Sequence, residues 1–281
     1  MTQSHTDLTA AEAATALAWL VDMGADEVLL EAPVNRLVTP ANAEPPVEKA
    51  PRVLLRPPPP QQPPPPAWKA TAPSDDLQAT AEILAADCNT LADLQTALSR
   101  FDTHPLKKTA GNLCFANGAQ HPRILVLCDR PRTEEDRSGE VLAGKHQVLA
   151  ERMFAAIGLC GMEARDGAEQ VLLANVIPWR PPGNRAPTEL ETNLCLPFTK
   201  RLIAILQPHI ILCFSALPGQ LLAGGGESIP KARGKWLTAA IGDLQIPLIT
   251  TFHPETLLKS PGSKRLAWHD LQNFRDRLES L

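Results

Sequence analysis

The stretch Asn175-Val-Ile-Pro-Trp-Arg-Pro-Pro-Gly-Asn-Arg-Ala-Pro187 contains four prolines and two arginines and follows a short apolar run directly. Proline fixes φ, and several prolines in one loop lower the entropy cost of holding that loop in a single shape. Residues 170–174, which precede the loop, form a short and mostly apolar segment, as in a buried strand. The sequence therefore predicts a rigid, cationic loop at the exit of a buried strand.

Short apolar segments alternate with helical patterns on both sides of this loop. Such alternation favours a three-layer α/β/α fold with a central four-stranded parallel sheet. Ligands bind such sheets beyond the carboxyl ends of the strands, in this chain the segments 128–132, 175–185, 215–226 and 251–258. The predicted strands are residues 124–127, 170–174, 210–214 and 247–250, and the predicted helices are residues 145–157, 189–206, 216–222 and 264–278.

The N-terminal part of the chain has a different character. A capping-box spacing and an apolar face predict a helix over residues 7–23, within an N-terminal helical segment of residues 1–37. Eight prolines between Pro57 and Pro66 predict a disordered, proline-rich linker over residues 38–76, which leaves residues 77–281 as the main domain. The N-terminal helix could dock a protein partner or lie against the main domain, and the sequence does not choose.

The net charge, the cysteine spacing and the length of the apolar runs limit the classes of function expected of this chain. The net charge of -4 is no global signature of nucleic-acid binding, although a local cationic patch is enough to bind a phosphate backbone. The six cysteines form no C-x-x-C pair. No apolar run approaches the roughly 20 residues that span a bilayer. We expect a monomer in a reduced, cytoplasmic setting, without a membrane partner.

The proline loop and a second motif, Thr251-Phe252-His253-Pro254, occur in the order found in a known family. From about Leu91 to Leu281 the chain resembles the uracil-DNA glycosylase superfamily, and most closely its thermophile-type branch, family 4. The resemblance implies a DNA repair enzyme that acts on DNA containing uracil, the deaminated form of cytosine. Such an enzyme flips the base out of the helix and hydrolyses its N-glycosidic bond by water attack.

Two motifs after the first strand depart from the family pattern. Relatives carry Gly-Glu-Ala-Pro-Gly where this chain has Cys128-Asp-Arg-Pro-Arg132. The resemblance therefore gives Asp129 the role of holding the water, although both glycines are lost; the alternative is a solvated loop acid. Leu142 stands where relatives stack an aromatic ring on the base. It offers apolar contact to the base without a π-face, and the alternative is an ordinary core leucine.

Two further residues carry the chemistry that the resemblance implies. Asn175 would read the amide edge of uracil, because its side chain has both donor and acceptor groups. The alternative is an asparagine that caps a loop turn. His253 would stabilise the departing uracil anion, a contribution often worth about 3–4 kcal/mol per donor, and the alternative is a structural histidine. No histidine lies between Asn175 and Arg185, which disfavours covalent capture of the sugar.

The implied DNA contacts are cationic or polar. The arginines of the proline loop would meet phosphates, and a second group near the C-terminus suits the mouth of the DNA groove. A solvated helix start explains the second group equally well. The predicted DNA-binding residues are Arg180, Arg185, Lys259, Ser260, Lys264 and Arg265.

The resemblance also raises the question of a cofactor, because the iron-sulfur branch holds a 4Fe-4S cluster with four cysteines. Here Cys195 matches the fourth ligand position, Trp179 occupies the third, and His104 stands in the place of the second. Cys88 lies too far upstream to match the first. A cluster normally needs four protein ligands, usually thiolates. We therefore expect neither a cofactor nor a metal.

Two alternatives to a working uracil glycosylase stay open at the level of the sequence. The changes in the first motif and at Leu142 could leave a catalytically weakened or inactive DNA-binding member of the superfamily. The added Arg130 and Arg132 favour this alternative. The changed loop over residues 128–132, called the first loop below, could instead alter the base specificity towards another deaminated base.

Overall fold

The structure is a computed structural model that describes residues 74–161, 167–224 and 226–281. The predicted helix over residues 7–23 and the proline-rich segment up to residue 73 lie outside these residues. The division of the chain into helical segment, linker and domain stays a prediction. Within the described part, no helix is long and apolar enough to cross a membrane.

The described residues contain a main sheet of six strands and a separate two-stranded pair. The pair is β3 (Leu159–Cys160) with β4 (Glu169–Gln170). The main sheet consists of β1 (Ala116–Gly118), β2 (Ile124–Cys128), β5 (Leu172–Asn175), β6 (Ile210–Phe214), β7 (Trp236–Ile241) and β8 (Leu244–Thr251). Its spatial order is β1-β5-β2-β6-β8-β7.

The four central strands β5, β2, β6 and β8 are parallel, as the sequence predicted. The antiparallel edge strands β1 and β7 were not predicted. β1 has only three residues, and β7 is largely exposed, so neither has the continuous apolar run that marks a buried strand. A turn at Gly242 and Asp243 joins β7 to β8 and starts β8 at Leu244, before its predicted first residue.

Helices cover both faces of the sheet. In the described residues the α-helices are α1 (Ser74–Ala86), α2 (Leu91–Arg100), α3 (Thr133–Ser138), α4 (Gly144–Ala155), α5 (Glu189–Leu206), α6 (Ala216–Ala223), α7 (Ile229–Ala232), α8 (Pro254–Lys259) and α9 (Lys264–Glu279). Of these, α4, α5, α6 and α9 match the predicted helices within about two residues. In the capping box of α5, Glu191 accepts from the Thr188 backbone N–H at 2.8 Å. Glu191 also accepts hydrogen bonds from Arg185 at 2.6 and 2.8 Å, so the start of α5 holds the end of the proline loop.

Alternate residues of a buried strand face opposite helical layers. In β2, Leu125 and Leu127 belong to the core that includes residues of α1, α2 and α5. Ile124, Val126 and Cys128 belong to the core that includes residues of α4 and α9. This is the period of two expected of a strand. Both faces are covered, which is why the central strands are continuous apolar runs in the sequence.

The strand register aligns the carboxyl ends of the central strands. Cys128, Phe214 and Thr251 form one row across β2, β6 and β8. Cys128 is also paired with Asn175, the last residue of β5. The four segments that follow these ends therefore leave the sheet from the same edge, where ligands bind in this class of fold.

Helix α9 offers a test of the core. Phe274 is fully buried, whereas Leu266 on the same helix is 41% exposed. We expect Phe274→Ala to lower the free energy of unfolding by about 3–5 kcal/mol, because it leaves a cavity, and Leu266→Ala to change it by less than about 0.5 kcal/mol. Urea unfolding followed by circular dichroism measures both values. Equal effects would contradict the packing of α9 against the sheet.

Candidate active site

Three buried polar atoms at the carboxyl edge of the sheet have no hydrogen-bond partner among the described residues. They are Asn175 Oδ1, Ser215 Oγ and His253 Nε2. A buried polar atom without a partner costs about 1–3 kcal/mol. The three residues stand at or just after the ends of β5, β6 and β8. They therefore lie at the edge of the sheet where ligands bind in folds of this class.

The surroundings of His253 fix the position of its ring proton. Its Nδ1 accepts a hydrogen bond from the Glu255 backbone N–H at 3.1 Å and so caps α8. The proton of the neutral ring is therefore on Nε2, which is the unpaired buried donor. Burial, together with the nearby charge of Arg132, holds the pKa of His253 well below its ordinary value, so the ring is neutral at physiological pH.

The amide of Asn175 is oriented by the backbone beside it. Its Nδ2 donates one hydrogen to the Cys114 carbonyl oxygen at 2.9 Å. Its backbone N–H donates to the Phe115 carbonyl oxygen at 2.9 Å, and the residue is 1% exposed. The unpaired Oδ1 and the second hydrogen of Nδ2 are then the groups that a ligand can meet.

Asp129 lies in a network of ion pairs. Its two carboxylate oxygens accept hydrogen bonds from Arg130 and from Arg132, the latter at 2.8 Å. Arg132 also donates to Glu255 at 2.8 Å, and Arg130 donates to the Asn184 carbonyl oxygen at 3.3 Å. Asp129 is 5% exposed, so it is a buried, paired acid and not a solvated one. The network ties the first loop to the proline loop and to α8.

Leu142 has a different environment from the polar residues of the site. It is 1% exposed and belongs to the core that includes residues of α4 and α9. This position agrees with the alternative of a core leucine. A contact between Leu142 and a flipped base stays a prediction.

The predicted DNA-binding residues fall into two groups. The arginines of the proline loop are held within the protein, because Arg180 donates to Asn184 Oδ1 at 2.8 Å and Arg185 is paired with Glu191. Lys259 pairs with Glu255 at 2.6 Å but is largely exposed. The group at the end of α8 and the start of α9 lies at the surface and comprises Lys259, Ser260, Lys264 and Arg265.

Sequence reasoning missed three residues around this edge. Ser215 has φ of +103° and ψ of 166°, a strained conformation that favours glycine, at the end of β6. The imidazole of His146 lies 5.9 Å from that of His253, centroid to centroid. Leu258 is 39% exposed and precedes Lys259. The pair Leu257-Leu258, which follows the His253-Pro254 motif in the sequence, could have indicated Leu258, whereas no local pattern indicates Ser215 or His146.

His104, Trp179 and Cys195, which occupy the positions of iron-sulfur cluster ligands in the family pattern, pack against one another. His104 is fully buried, stacks on Trp179 with ring centroids 4.6 Å apart, and has its Nε2 3.3 Å from Cys195 Sγ. Burial raises the pKa of the Cys195 thiol, which keeps it protonated. These side chains do not fit a cluster held by four thiolates. Within the described ranges, no group of three potential metal ligands occurs.

Comparison with known proteins agrees with the motifs and the geometry. Residues 115–272 match the profile of the uracil DNA glycosylase superfamily, and the chain belongs to this superfamily. One similar protein is the type-4 uracil-DNA glycosylase of Pyrobaculum aerophilum, 28% identical over 188 residues, which cover 66% of this chain and 92% of the relative. The resemblance predicted from the motifs is therefore confirmed.

Two further relatives carry the same name. The type-4 uracil-DNA glycosylase of Sulfurisphaera tokodaii is 30% identical over 169 residues, which cover 59% of this chain and 74% of the relative. That of Thermotoga maritima is 29% identical over 174 residues, which cover 61% of this chain and 85% of the relative. The similarity thus extends over most of each relative.

The cluster positions lead to a prediction about metal content. We expect protein purified under anaerobic conditions to contain no stoichiometric iron or acid-labile sulfide, because one matching cysteine cannot hold a cluster. Elemental analysis and a colorimetric sulfide assay measure this. Stoichiometric iron and sulfide would show that other residues supply the missing ligands.

The burial of His253 leads to a prediction about stability and pH. In the unfolded chain a histidine binds a proton with a pKa of about 6.5, whereas the native ring resists protonation. Stability should therefore fall as the pH drops through this value. Asparagine at position 253 could still cap α8 but would not titrate. We therefore expect His253→Asn to lose less stability than wild type as the pH falls. Urea midpoints across this pH range give the comparison, and equal slopes would contradict it.

Proposed function

We propose that the protein is a uracil-DNA glycosylase that hydrolyses the N-glycosidic bond of uracil in DNA. The observation that carries the proposal is the buried, unpaired set of His253 Nε2 and Asn175 Oδ1 at the carboxyl edge of the sheet. The three relatives described above, all named type-4 uracil-DNA glycosylases, support the same reaction.

Asn175 is suited to reading the base. Uracil presents a donor at N3 beside an acceptor at O4, and these complement the free Oδ1 and the free Nδ2 hydrogen of the amide. Cytosine presents an acceptor at N3 beside an amino group, so both contacts fail and buried polar groups stay unpaired. Because Asn175 is 1% exposed, the base has to leave the DNA helix to reach it.

His253 is suited to stabilising the leaving group. When the bond between C1′ and N1 breaks, its electron pair leaves with uracil and negative charge develops on O2. A neutral Nε2–H is already oriented by the hydrogen bond between Nδ1 and the Glu255 backbone. A preorganised donor at a developing charge lowers the barrier because it does not have to reorganise during the reaction.

Asp129 holds the attacking water in this proposal. A carboxylate has about four lone-pair positions, so each oxygen keeps one after bonding to Arg130 or Arg132. The same arginines cover the acid. DNA phosphates are strong partners for guanidinium groups, so we infer that bound DNA competes with Asp129 for them and opens the site.

The surface at the end of α8 and the start of α9 is suited to DNA. Lys259, Lys264 and Arg265 are exposed there, and Ser260 adds a hydroxyl group. Such groups contact phosphates and set the register of a protein on DNA. The exposed Leu258 lies among them, and an apolar side chain can wedge between base steps and unstack them. This surface would then assist base extrusion.

The proline loop would contact the same DNA. Arg180 and Arg185 keep their role as phosphate contacts in the proposal, with an exchange of partners on binding. The side chain of Arg185 is 43% exposed while it is paired with Glu191, so a phosphate can approach the guanidinium without unfolding the loop.

The arrangement of the whole chain is part of the proposal. We infer from the sequence that residues 77–281 act on DNA as a monomer and that a proline-rich linker over residues 38–76 tethers the helical segment 1–37. Proline-rich linkers are extended, semi-rigid spacers. The helical segment is then available to dock a protein partner.

A DNA-binding protein with little or no turnover is the second candidate. The observation that favours it is the pairing of both Asp129 oxygens with arginines. If these pairs persist on DNA and the arginine side chains continue to cover the acid, Asp129 does not position water and only binding remains. Altered base specificity is the third candidate, because the first loop of this chain differs from that of its relatives.

Excision assays on single-stranded and duplex oligonucleotides containing uracil test the proposal. The wild-type protein should release uracil, and Asp129→Ala and His253→Asn should release it more slowly. For His253→Asn we expect a loss of about 100- to 1,000-fold, which is typical of removing one donor to a developing anion. His121→Ala, which changes an exposed histidine outside the site, should keep the wild-type rate.

Oligonucleotides containing hypoxanthine or xanthine, assayed in parallel, separate the candidates. Release of one of these bases without release of uracil would indicate altered specificity. If no base is released while DNA binding stays intact and weakens with salt, the protein is the binding member and the proposed reaction is wrong.

A further inference from the structure

A second imidazole lies beside His253. His146 is in the first turn of α4, and its ring meets that of His253 edge to face, with centroids 5.9 Å apart and an interplanar angle of 72°. Its side chain is 17% exposed. His146 has no part in the roles that the resemblance implies, although the fold brings it to the same edge of the sheet.

A buried carboxylate orients this second imidazole. His146 Nδ1 donates to Glu135 Oε1 at 2.8 Å, and Glu135, from α3, is 1% exposed. The carboxylate of Glu135 also accepts from the backbone N–H groups of Arg132 at 3.1 Å and Ala143 at 3.4 Å. Burial by itself raises the pKa of Glu135, but the hydrogen bonds from His146 and the backbone hold it below its ordinary value.

The other nitrogen of His146 is free for chemistry. Nδ1 carries the proton that is donated to Glu135, so Nε2 of the neutral ring is an acceptor. Nε2 makes no hydrogen bond to any residue that the structure describes. A carboxylate that fixes an imidazole by one nitrogen, with the other nitrogen open, is the arrangement of a general base.

Asp129 and His146 differ in the groups that surround them. A guanidinium group bonds to each oxygen of the Asp129 carboxylate, so part of its lone-pair capacity is already used. In His146, by contrast, Glu135 holds Nδ1 and leaves Nε2 open as an acceptor. The two residues thus suit different tasks, Asp129 the orientation of water and His146 the removal of its proton.

We propose that His146 is a further catalytic residue, a general base held by Glu135 that accepts a proton from the attacking water. This inference rests on the proposed glycosylase function. The water oxygen forms a bond to C1′ of the deoxyribose as the bond between C1′ and N1 breaks, and that electron pair leaves on uracil. The water proton moves to His146 Nε2 and then to solvent. Uracil leaves as the anion bound by His253 and takes a proton from solvent.

Single-turnover excision with saturating protein tests this role, because it isolates the chemical step from DNA binding. His146→Ala removes the base. His146→Gln retains an amide donor for Glu135 but cannot accept the proton. We expect both variants to cleave about 100-fold or more slowly than wild type, with unchanged affinity for the uracil oligonucleotide. Imidazole in the buffer should restore part of the rate of His146→Ala and leave the wild-type rate unchanged.

Thermal unfolding of each variant is measured in parallel, and His121→Ala is the matched histidine control. A wild-type rate in His146→Ala or in His146→Gln overturns the inference. So does a slow His146→Ala protein that imidazole does not accelerate, since that result indicates a structural role. Failure of the glycosylase proposal is recognised separately, because the wild-type protein would then release no uracil.

Discussion

The parallel pairing of β5, β2, β6 and β8 is the constraint on which the rest of the structure depends. Helices cover both faces of these strands, so most of their side chains are apolar. Polar groups are concentrated where the strands end. The register aligns Cys128, Phe214 and Thr251, and this alignment brings the unpaired atoms of Asn175, Ser215 and His253 to one edge.

The carboxyl edge of the sheet contains ion-paired carboxyl groups and a neutral histidine side by side. The carboxyl groups of Asp129 and Glu255 share Arg132, and a buried charged group needs such partners to offset the loss of water. Burial opposes ionisation of Glu255, but Lys259 and Arg132 lower its pKa to about 2. His253, in contrast, is neutral because it is buried beside cations. The site therefore holds an uncharged donor next to a fixed set of charges.

The proline loop is fixed at both ends by contacts that need no metal. At its start, Trp179 stacks on His104, and His104 lies against Cys195 of α5. At its end, Arg185 is held by Glu191 in the first turn of the same helix. Both anchors involve α5, so this helix holds the loop that follows Asn175 at two points.

The sequence by itself determined the parallel sheet, four helices and the polar residues at the strand ends, because buried strands and amphipathic helices have local periodicities. It did not determine the edge strands β1 and β7, which are short or half exposed and lack those periodicities. Tertiary structure alone decided that Arg130 and Arg132 cover Asp129, that Ser215 is strained, and that His146 meets Glu135. The contact between His146 and Glu135 joins two helices, and the conformations of Ser215 and of the loop from Asp129 to Arg132 depend on packing against the rest of the chain, so no local periodicity encodes them.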